Sequence, residues 1–128
     1  MDIKRLISEA KKARSNSYSP YSRFKVGAAV VTKKGNIYIG ANIENASYGM
    51  SLCAEKVAIA RAVSEGDSDI TAIAVVCDKL SSPCGACRQV IAEFGKNIKV
   101  IMADTKGRTK MNTISKLLPD AFMLKRKR

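Results

Sequence analysis

The chain has 128 residues, a formal net charge of +12 at pH 7 and no histidine. This length supports one hydrophobic core but not two, so a single domain over residues 1–128 is expected. No apolar run reaches the length of a membrane span, and the N-terminus, MDIKRLISEA, lacks a signal peptide's apolar segment. We therefore expect a cytoplasmic protein without membrane contact, whose four cysteines stay reduced as metal ligands or core residues.

Much of the positive charge lies at the two ends of the chain. Residues 1–23 carry six basic and two acidic side chains, and the tail at 125–128, KRKR, is entirely basic. Charged ends of this kind are usually solvated. Aromatic side chains for base stacking are also scarce, with four Tyr, three Phe and no Trp. Nucleic acid is therefore not the expected partner, although the net charge alone would suggest it.

The first half of the chain alternates between helical and strand patterns. Apolar residues at helical spacing predict a helix over 2–14, with Asp2 as its N-cap. After the polar connection SNSYSPYS, the segments FKVGAAVVT and NIYIGANIE predict a hairpin that turns near Gly35. The segment CAEKVAIARAVSEG then predicts a helix that begins near Cys53 and stops at Gly66.

The second half continues the alternation. The segment ITAIAVVCD predicts a strand buried on both faces, and a helix from Cys84 to Gly95 follows it. NIKVIMAD predicts another buried strand, KGRTKM a short edge strand, and NTISKLLP a small helix that ends at Pro119. The order of elements predicts a three-layer α/β domain with a mixed, about five-stranded sheet packed by helices.

Three cysteines stand at the starts of the two central helices. Cys84 and Cys87 form a CxxC pair, which alone indicates a zinc half-site, a redox pair or two core residues equally well. Free N–H groups and the helix dipole favour thiolates at helix starts, and Cys53 begins the other helix. If both starts meet, three thiolates hold a zinc ion and leave a fourth position open. A closed structural site would need Cys77, which is better interpreted as core.

A carboxylate follows two residues after the first of these cysteines. Glu55 is unremarkable as a surface residue, but beside a metal it is placed to carry protons. Together, Cys53-Ala54-Glu55 and the later PCGAC resemble the zinc-dependent cytidine deaminases, specifically their short homotetrameric type. The segments FKVGAA, NIENA, AVSEG, SPCGACRQV and LLP-AF occur in family order. The resemblance therefore covers nearly the whole chain except its basic tail.

The resemblance implies the chemistry of pyrimidine salvage. Cytidine and deoxycytidine would be hydrolysed to uridine and deoxyuridine plus ammonia, with one zinc ion per chain providing hydroxide. Glu55 would be the proton shuttle. The carbonyl of Ser82 would accept the departing amino group, and the backbone N–H of Ala54 would donate to O2 of the base.

The resemblance also implies how the nucleoside is held. Asn42 and Glu44 would bind the ribose 3′-hydroxyl, and the Phe24 ring would pack on the base. Phe122 and Tyr48 would come from neighbouring subunits of a homotetramer. Without the resemblance, the segment NIEN is better interpreted as a polar strand exit and Phe24 as a core residue.

One position departs from the family pattern. Many three-cysteine relatives have Arg after Cys-Ala-Glu, whereas this chain has Lys56. Three thiolates give a zinc site a negative net charge, which a nearby cation would offset. We expect Lys56 to compensate the thiolates, with Arg88 as a second candidate. The alternative is that Lys56 is a solvated helix residue.

Other functions remain open on the sequence. A related zinc deaminase could act on a nucleoside antibiotic, a free base or polynucleotide cytosine. A protein of another class, a non-catalytic RNA-binding module stabilised by zinc, would use the same cysteines. Asn42 with Glu44 favours a ribose over a free base, and only the net charge favours a polynucleotide.

Overall fold

The computed structural model describes residues 1–125, so the basic tail predicted at 125–128 lies outside the described residues beyond Lys125. The elements in chain order are α1 (Ile3–Arg14), β1 (Gly27–Thr32), β2 (Ile37–Ala41), a 3-10 helix (Tyr48–Met50), α2 (Ala54–Ser64), β3 (Ile70–Cys77), α3 (Gly85–Ala92), β4 (Lys99–Asp104), β5 (Thr109–Thr113) and α4 (Ile114–Leu117). The 3-10 helix has no counterpart in the sequence prediction. The small C-terminal helix is shorter than predicted, because β5 extends through Thr113.

The five strands of the described chain form one mixed sheet in the order β2-β1-β3-β4-β5. Strands β3 and β4 are parallel, and the other neighbours are antiparallel. The parallel pair arises because α3 connects β3 to β4, and such a crossover returns the chain in the same direction. The predicted mixed, five-stranded sheet is confirmed.

Helices cover both faces of the sheet. Leu6 and Ala10 of α1 pack with Ala29, Val31 and other apolar residues on one face. Helices α2, α3 and α4 bury their apolar residues against the other face. The central strands are therefore buried on both sides, which explains their unbroken hydrophobic runs. The predicted three-layer α/β architecture is confirmed.

Local signals in the sequence define the helix and turn boundaries. The Asp2 carboxylate accepts a hydrogen bond from the backbone N–H of Arg5 at 3.1 Å, as expected of an N-cap. The hairpin turns at Gly35, whose φ of +88° is easily adopted only by glycine. Among residues 1–125, no helix combines the length and the apolar character that a bilayer crossing requires.

Helix α2 lies directly on strand β2 at Gly40. A Cβ atom at this position would lie 2.4 Å from the backbone nitrogen of Ala58 and 2.8 Å from the carbonyl oxygen of Ala54. Both distances are far below van der Waals contact, so glycine is required for this close approach. The contact fixes the distance between the start of α2 and strand β2.

Candidate metal and catalytic centre

Three cysteines from two helix starts meet at one point. Cys53 is the N-cap of α2, Cys84 is the N-cap of α3, and Cys87 lies in the first turn of α3. Their sulfur atoms all lie within 4.8 Å of one another, and the Cys53 and Cys84 sulfurs are 4.0 Å apart. Cys87 is completely buried and Cys84 is exposed, so the cluster is closed on one side and open on the other.

The donor set fits a zinc ion. Three sulfurs bound at about 2.3 Å in tetrahedral geometry would stand about 3.8 Å from one another, close to the observed separation. Cys77 lies apart from the cluster and is buried in the core, as the sequence indicated. With three protein ligands from the described residues, one coordination position is left, and this is the arrangement of catalytic rather than structural zinc sites.

The cysteine cluster is arranged to hold negative charge. Hydrogen bonding from the Cys87 thiol lowers the pKa of Cys53 to about 6, and the Cys84 thiol and the positive charge of Lys56 act in the same direction. Burial opposes this shift but does not cancel it. The pKa of Cys87 is raised, because its thiol donates to Cys53 and because it is buried. The first thiolate therefore forms readily at neutral pH.

Glu55 lies beside the cluster at the first turn of α2. Its side chain is buried, with 5% of the residue exposed. Burial raises the pKa of Glu55, and the negative charge of Cys53 raises it further, whereas its own backbone N–H and the Cys87 thiol lower it. A buried carboxyl group whose pKa is raised in this way, beside a set of metal-binding thiols, is a candidate for proton transfer.

A cavity of about 210 Å³ opens onto Cys53, Cys84 and Glu55, and Cys87 is buried behind them. Its wall contains four residues that the resemblance assigned to the substrate: Phe24, Asn42, Ala54 and Ser82. Phe24 is 45% exposed, so it belongs to the cavity wall and not to the core. The segments before β1 and after β2, strand β3, the start of α2 and the segment before α3 therefore contribute to one pocket.

The Asn42 side-chain amide is held by hydrogen bonds at both its oxygen and its nitrogen. Its Oδ1 atom accepts hydrogen bonds from the backbone N–H of Val26 and from the Ser17 hydroxyl, and its Nδ2 atom donates to the Phe24 carbonyl. An amide nitrogen carries two hydrogens, so one donor remains after the bond to Phe24. The side chain is thus fixed in place with one donor available.

The Glu44 carboxylate lies in a second depression that shares Asn42 with the first cavity. This depression also contains Tyr21 and Tyr48, whose rings meet edge to face at 6.4 Å. Glu44 accepts hydrogen bonds from the Ser22 hydroxyl and from the backbone N–H groups of Tyr21 and Ser22. These bonds, with those from Ser22 first, lower the pKa of Glu44 although burial opposes the shift, so it stays ionised at neutral pH.

Besides the buried Cys87, three predicted residues line neither of the two depressions. Phe122 is 69% exposed, and its backbone carbonyl accepts a hydrogen bond from the Gln89 side chain. Lys56 is half-buried on α2 and acts on Cys53 through its charge alone. Arg88 donates to three oxygen atoms, and none of its hydrogen bonds within residues 1–125 reaches a thiol.

Comparison with known proteins agrees with this centre. Residues 1–103 match the family model described as the cytidine and deoxycytidylate deaminase zinc-binding region. The chain belongs to this deaminase family. It is 51% identical over 125 residues to the cytidine deaminase of Sporosarcina psychrophila, which covers 95% of this chain and 92% of that protein.

Further relatives of the deaminase extend the likeness to whole structures. The chain is 52% identical to the cytidine deaminase of Halalkalibacterium halodurans, with 95% of each chain covered. The crystal structure of cytidine deaminase from Burkholderia pseudomallei superposes with a TM-score of 0.92 at 45% identity, covering 95% of this chain and 100% of that one. The corresponding Mycobacterium tuberculosis structure gives a TM-score of 0.86 at 37% identity, covering 97% and 99%.

These findings confirm the deaminase family, the fold and a cysteine cluster suited to one zinc ion. They do not favour the alternative of a zinc-stabilised RNA-binding module. The roles assigned to individual residues of this deaminase stay predictions.

Sequence reasoning missed the residues that hold the side chains of Asn42 and Glu44. Ser17 and Ser22 fix Asn42 and Glu44, yet both lie in or beside the segment SNSYSPYS, which the sequence indicated only as a polar connection. The density of hydroxyl groups in this segment was the available signal. The guanidinium contacts of Arg88 gave no signal, because they join residues separated by up to 29 positions.

Proposed function

We propose that this deaminase hydrolyses cytidine and deoxycytidine to uridine and deoxyuridine, with release of ammonia. The observation that carries the proposal is the cluster of three cysteine sulfurs, two of which line one cavity together with Glu55. The cysteines would hold one zinc ion per chain. A nucleoside is the substrate class because the same cavity contains Asn42 and adjoins Glu44.

Glu55 would carry protons during the reaction. When bound, zinc supplies the Lewis acidity that makes a water molecule nucleophilic near neutral pH. As the oxygen of this water adds to C4, Glu55 would take one of its protons and deliver it to N3 of the base. Glu55 would then take the second proton from that oxygen and pass it to the amino nitrogen, so that the C4–N bond breaks and ammonia leaves. Its raised pKa supports this role, because the group must accept and release a proton in each cycle.

Backbone groups would orient the pyrimidine ring. The N–H of Ala54 is one of the first amide groups of α2, which have no partner within the helix, and it would donate to O2 of the base. The carbonyl of Ser82 accepts no hydrogen bond from residues 1–125 and would receive one from the amino group at C4. The Phe24 ring, at the cavity wall, would pack on the base.

Asn42 and Glu44 would recognise the sugar. The remaining amide hydrogen of Asn42 and the ionised carboxylate of Glu44 form a donor and acceptor pair that a 3′-hydroxyl can satisfy at once. Both deoxyribose and ribose carry this hydroxyl, and a free base does not. The pair therefore favours nucleosides over cytosine.

We further propose a single domain that assembles as a homotetramer in the cytoplasm. Tyr48 and Phe122 are 76% and 69% exposed, which agrees with their insertion at neighbouring subunits' pockets. Closed symmetry of this kind is common among homo-oligomers. Light scattering should report four chains, and a fully active monomer would contradict the shared pockets.

An ultraviolet assay tests the proposed reaction. The zinc-loaded protein is mixed with cytidine, deoxycytidine, cytosine or a short C-containing RNA, and the absorbance change of deamination is followed. We expect turnover of both nucleosides and none of cytosine. Turnover of the RNA alone would indicate a polynucleotide deaminase, and zinc retention without any turnover of the four compounds would refute the reaction.

A further inference from the structure

The segment between β3 and Cys84 forms part of the cavity wall, and we name residues 78–83 the pocket loop. Ser81 and Ser82 of this loop line the cavity. Within residues 1–125, no backbone–backbone hydrogen bond joins residues 79–83 to another part of the chain. Side chains must therefore set the position of the loop, because its backbone is not hydrogen-bonded to a neighbouring strand.

Arg88 of α3 makes two side-chain hydrogen bonds to this loop. Its Nε atom donates to the Pro83 carbonyl at 2.9 Å, and its Nη2 atom donates to the Ser82 hydroxyl at 2.7 Å. Its Nη1 atom donates to the Leu117 carbonyl at 2.7 Å, beyond the loop. One guanidinium thus joins the pocket loop to the C-terminal end of α4.

The chemistry of these acceptors requires an arginine. Pro83 is buried, and its carbonyl accepts no backbone bond within residues 1–125. Leu117 ends α4, and the last carbonyls of a helix lack partners within the helix. A planar guanidinium offers donors in several fixed directions, whereas the ammonium of lysine is a compact point charge. Lysine could satisfy only part of this set.

At the opposite end of the loop, a second arginine makes a weaker attachment. Arg14 of α1 forms an ion pair with Asp78, and its Nε atom donates to the Lys25 carbonyl at 3.2 Å. Asp78 is largely exposed, with 60% of its side chain accessible, so solvent screens this pair.

Ser81 also hydrogen-bonds to the Cys77 thiol through its hydroxyl and its backbone N–H. Arg88 is the attachment that holds the following residues, Ser82 and Pro83.

We infer that Arg88 is a positioning residue for the substrate pocket, acting through the pocket loop on the Ser82 carbonyl and the start of α3 at Cys84. The inference rests on the proposed function, because Ser82 is assigned there to the amino group at C4. It replaces the role of counter-charge for the thiolates, since the guanidinium donates to three oxygens instead.

The test compares Arg88→Met, Arg88→Lys and Ser82→Ala with a matched control, Arg61→Met. Arg61 lies on α2 outside the cavity wall and likewise donates to a backbone carbonyl, that of Ile39 at 3.1 Å. For each zinc-loaded variant, zinc per chain, kcat, KM for cytidine and the pH–rate profile are measured. Tryptic cleavage after Lys79 reports on the pocket loop without any reference to activity.

For Arg88→Met we expect kcat/KM to fall about 10–100-fold, mainly through KM, as is typical when the support of a metal-site residue is removed. Zinc content and the pH at which activity rises should be unchanged. Cleavage after Lys79 should be faster than in the wild type, and Lys should restore neither KM nor the slow cleavage. In the Met background, Ser82→Ala should add little, because the two groups act through one contact.

Two results would overturn the inference. Loss of zinc with a shifted pH profile in Arg88→Met, both restored in Arg88→Lys, would show that the charge and not the position matters. Kinetics and cleavage equal to those of Arg61→Met would show that Arg88 does not hold the loop.

If Arg88→Met does not fold, Arg88→Lys decides between the two roles. The positioning role requires a raised KM in Arg88→Lys, and the charge role requires a normal KM in this variant. An inactive wild type would refute the proposed reaction, while cleavage after Lys79 would still test the loop.

Discussion

The two ends of helix α2 each place a carboxylate in a buried position, and the two carboxylates differ in every other respect. Glu55 at the first turn is 5% exposed, and Asp67, just beyond the last turn, is 4% exposed. The pKa of Glu55 is raised, chiefly by burial. The pKa of Asp67 is lowered, although burial alone would raise it. Burial therefore does not decide how a carboxylate behaves.

Hydrogen-bond donors account for the difference. One oxygen of Asp67 accepts from the Asn36 amide at 3.0 Å, the Thr32 hydroxyl at 2.8 Å and the Tyr38 hydroxyl at 3.0 Å. These donors come from the β1–β2 hairpin and hold it against the end of α2. Donors to the ionised form lower a pKa. Within residues 1–125, the hydrogen bonds to Glu55 from its own backbone N–H and from the Cys87 thiol do not outweigh burial, and the negative charge of Cys53 raises its pKa further.

The comparison separates a carboxylate that donors hold in its ionised form from one that lacks such support. Asp67 is ionised and accepts three hydrogen bonds at one oxygen, so it fixes the end of α2. Glu55 is poorly stabilised as an anion, which agrees with the proton transfer proposed for it. The two ends of one helix thus hold buried carboxylates whose pKa values shift in opposite directions.

The largest effect should come from removing the thiolates beside Glu55. Single Ser replacements of Cys53, Cys84 or Cys87 should each lose zinc and activity, because the three sulfurs form one ligand set. Cys77→Ser is the control and should keep both, since Cys77 lies in the core apart from the cluster. Metal analysis of the four variants checks this. Full zinc in Cys53→Ser with loss in Cys77→Ser would refute the ligand assignment.

Glu55→Gln should abolish chemistry and leave binding intact. The amide keeps the shape of the side chain but cannot take a proton, so kcat should fall by ~10²–10⁴-fold, as expected of a general acid–base group. Zinc content and affinity for the product uridine should remain near those of the wild type. Calorimetry with uridine and steady-state kinetics separate the two. Near-normal turnover would mean that another group moves the proton.

Asp67→Asn should show the opposite behaviour, with lower stability and unchanged kcat per folded chain. Because the pKa of Asp67 is lowered by folding, its stabilisation is present above the unfolded value, about 3.9. It is lost as the pH falls through the folded pKa. The melting temperature of Asp67→Asn should therefore lie below that of the wild type at pH 7, and the difference should shrink towards pH 3. A difference that stays constant with pH would indicate a packing effect instead.

The same melting experiment on Glu55→Gln sharpens the comparison. Because folding raises the pKa of Glu55, ionised Glu55 destabilises the folded chain above the unfolded pKa, about 4.3 for glutamate. The melting temperature of the Gln variant, relative to that of the wild type, should therefore increase as the pH rises from 4 towards neutrality. A Gln variant that loses stability over this range would show that Glu55 is paired after all.

The elements of the fold could be predicted because their signals are local. Asp2, Gly35 and Gly66 mark a helix start, a turn and a helix end, and the buried strands show as apolar runs. The 3-10 helix at Tyr48–Met50 could not be predicted, since it has no hydrophobic period. Its position follows from pairing of Ile43 with its partners in other segments, which is long-range information.

The candidate site also has a part that could be predicted from local signals and a part that could not. Cys53 and Cys84 stand at helix starts that the sequence marks clearly, so their meeting could be anticipated from two packed helices. The contacts of Arg88 and the hydroxyl groups around Asn42 depend on the exact course of loops. No spacing rule in the sequence encodes such contacts.

The smallest effect should come from Lys56, the residue after Glu55 at the start of α2. Three thiolates around one divalent ion leave a net charge of −1, and this charge makes the water at the site harder to deprotonate. The positive charge of Lys56 lowers the pKa of Cys53, after the larger effects of Cys87 and Cys84, so it also offsets part of the negative charge. Lys56→Gln should keep the fold and raise the pH at which activity appears, whereas Lys56→Arg should change little. Arg61→Gln on the same helix is the control for a lost charge away from the thiols. If Lys56→Gln and Arg61→Gln give the same pH–rate profile and zinc affinity as the wild type, the charge of Lys56 does not act on the centre, and solvent or the helix N-termini balance the thiolates instead.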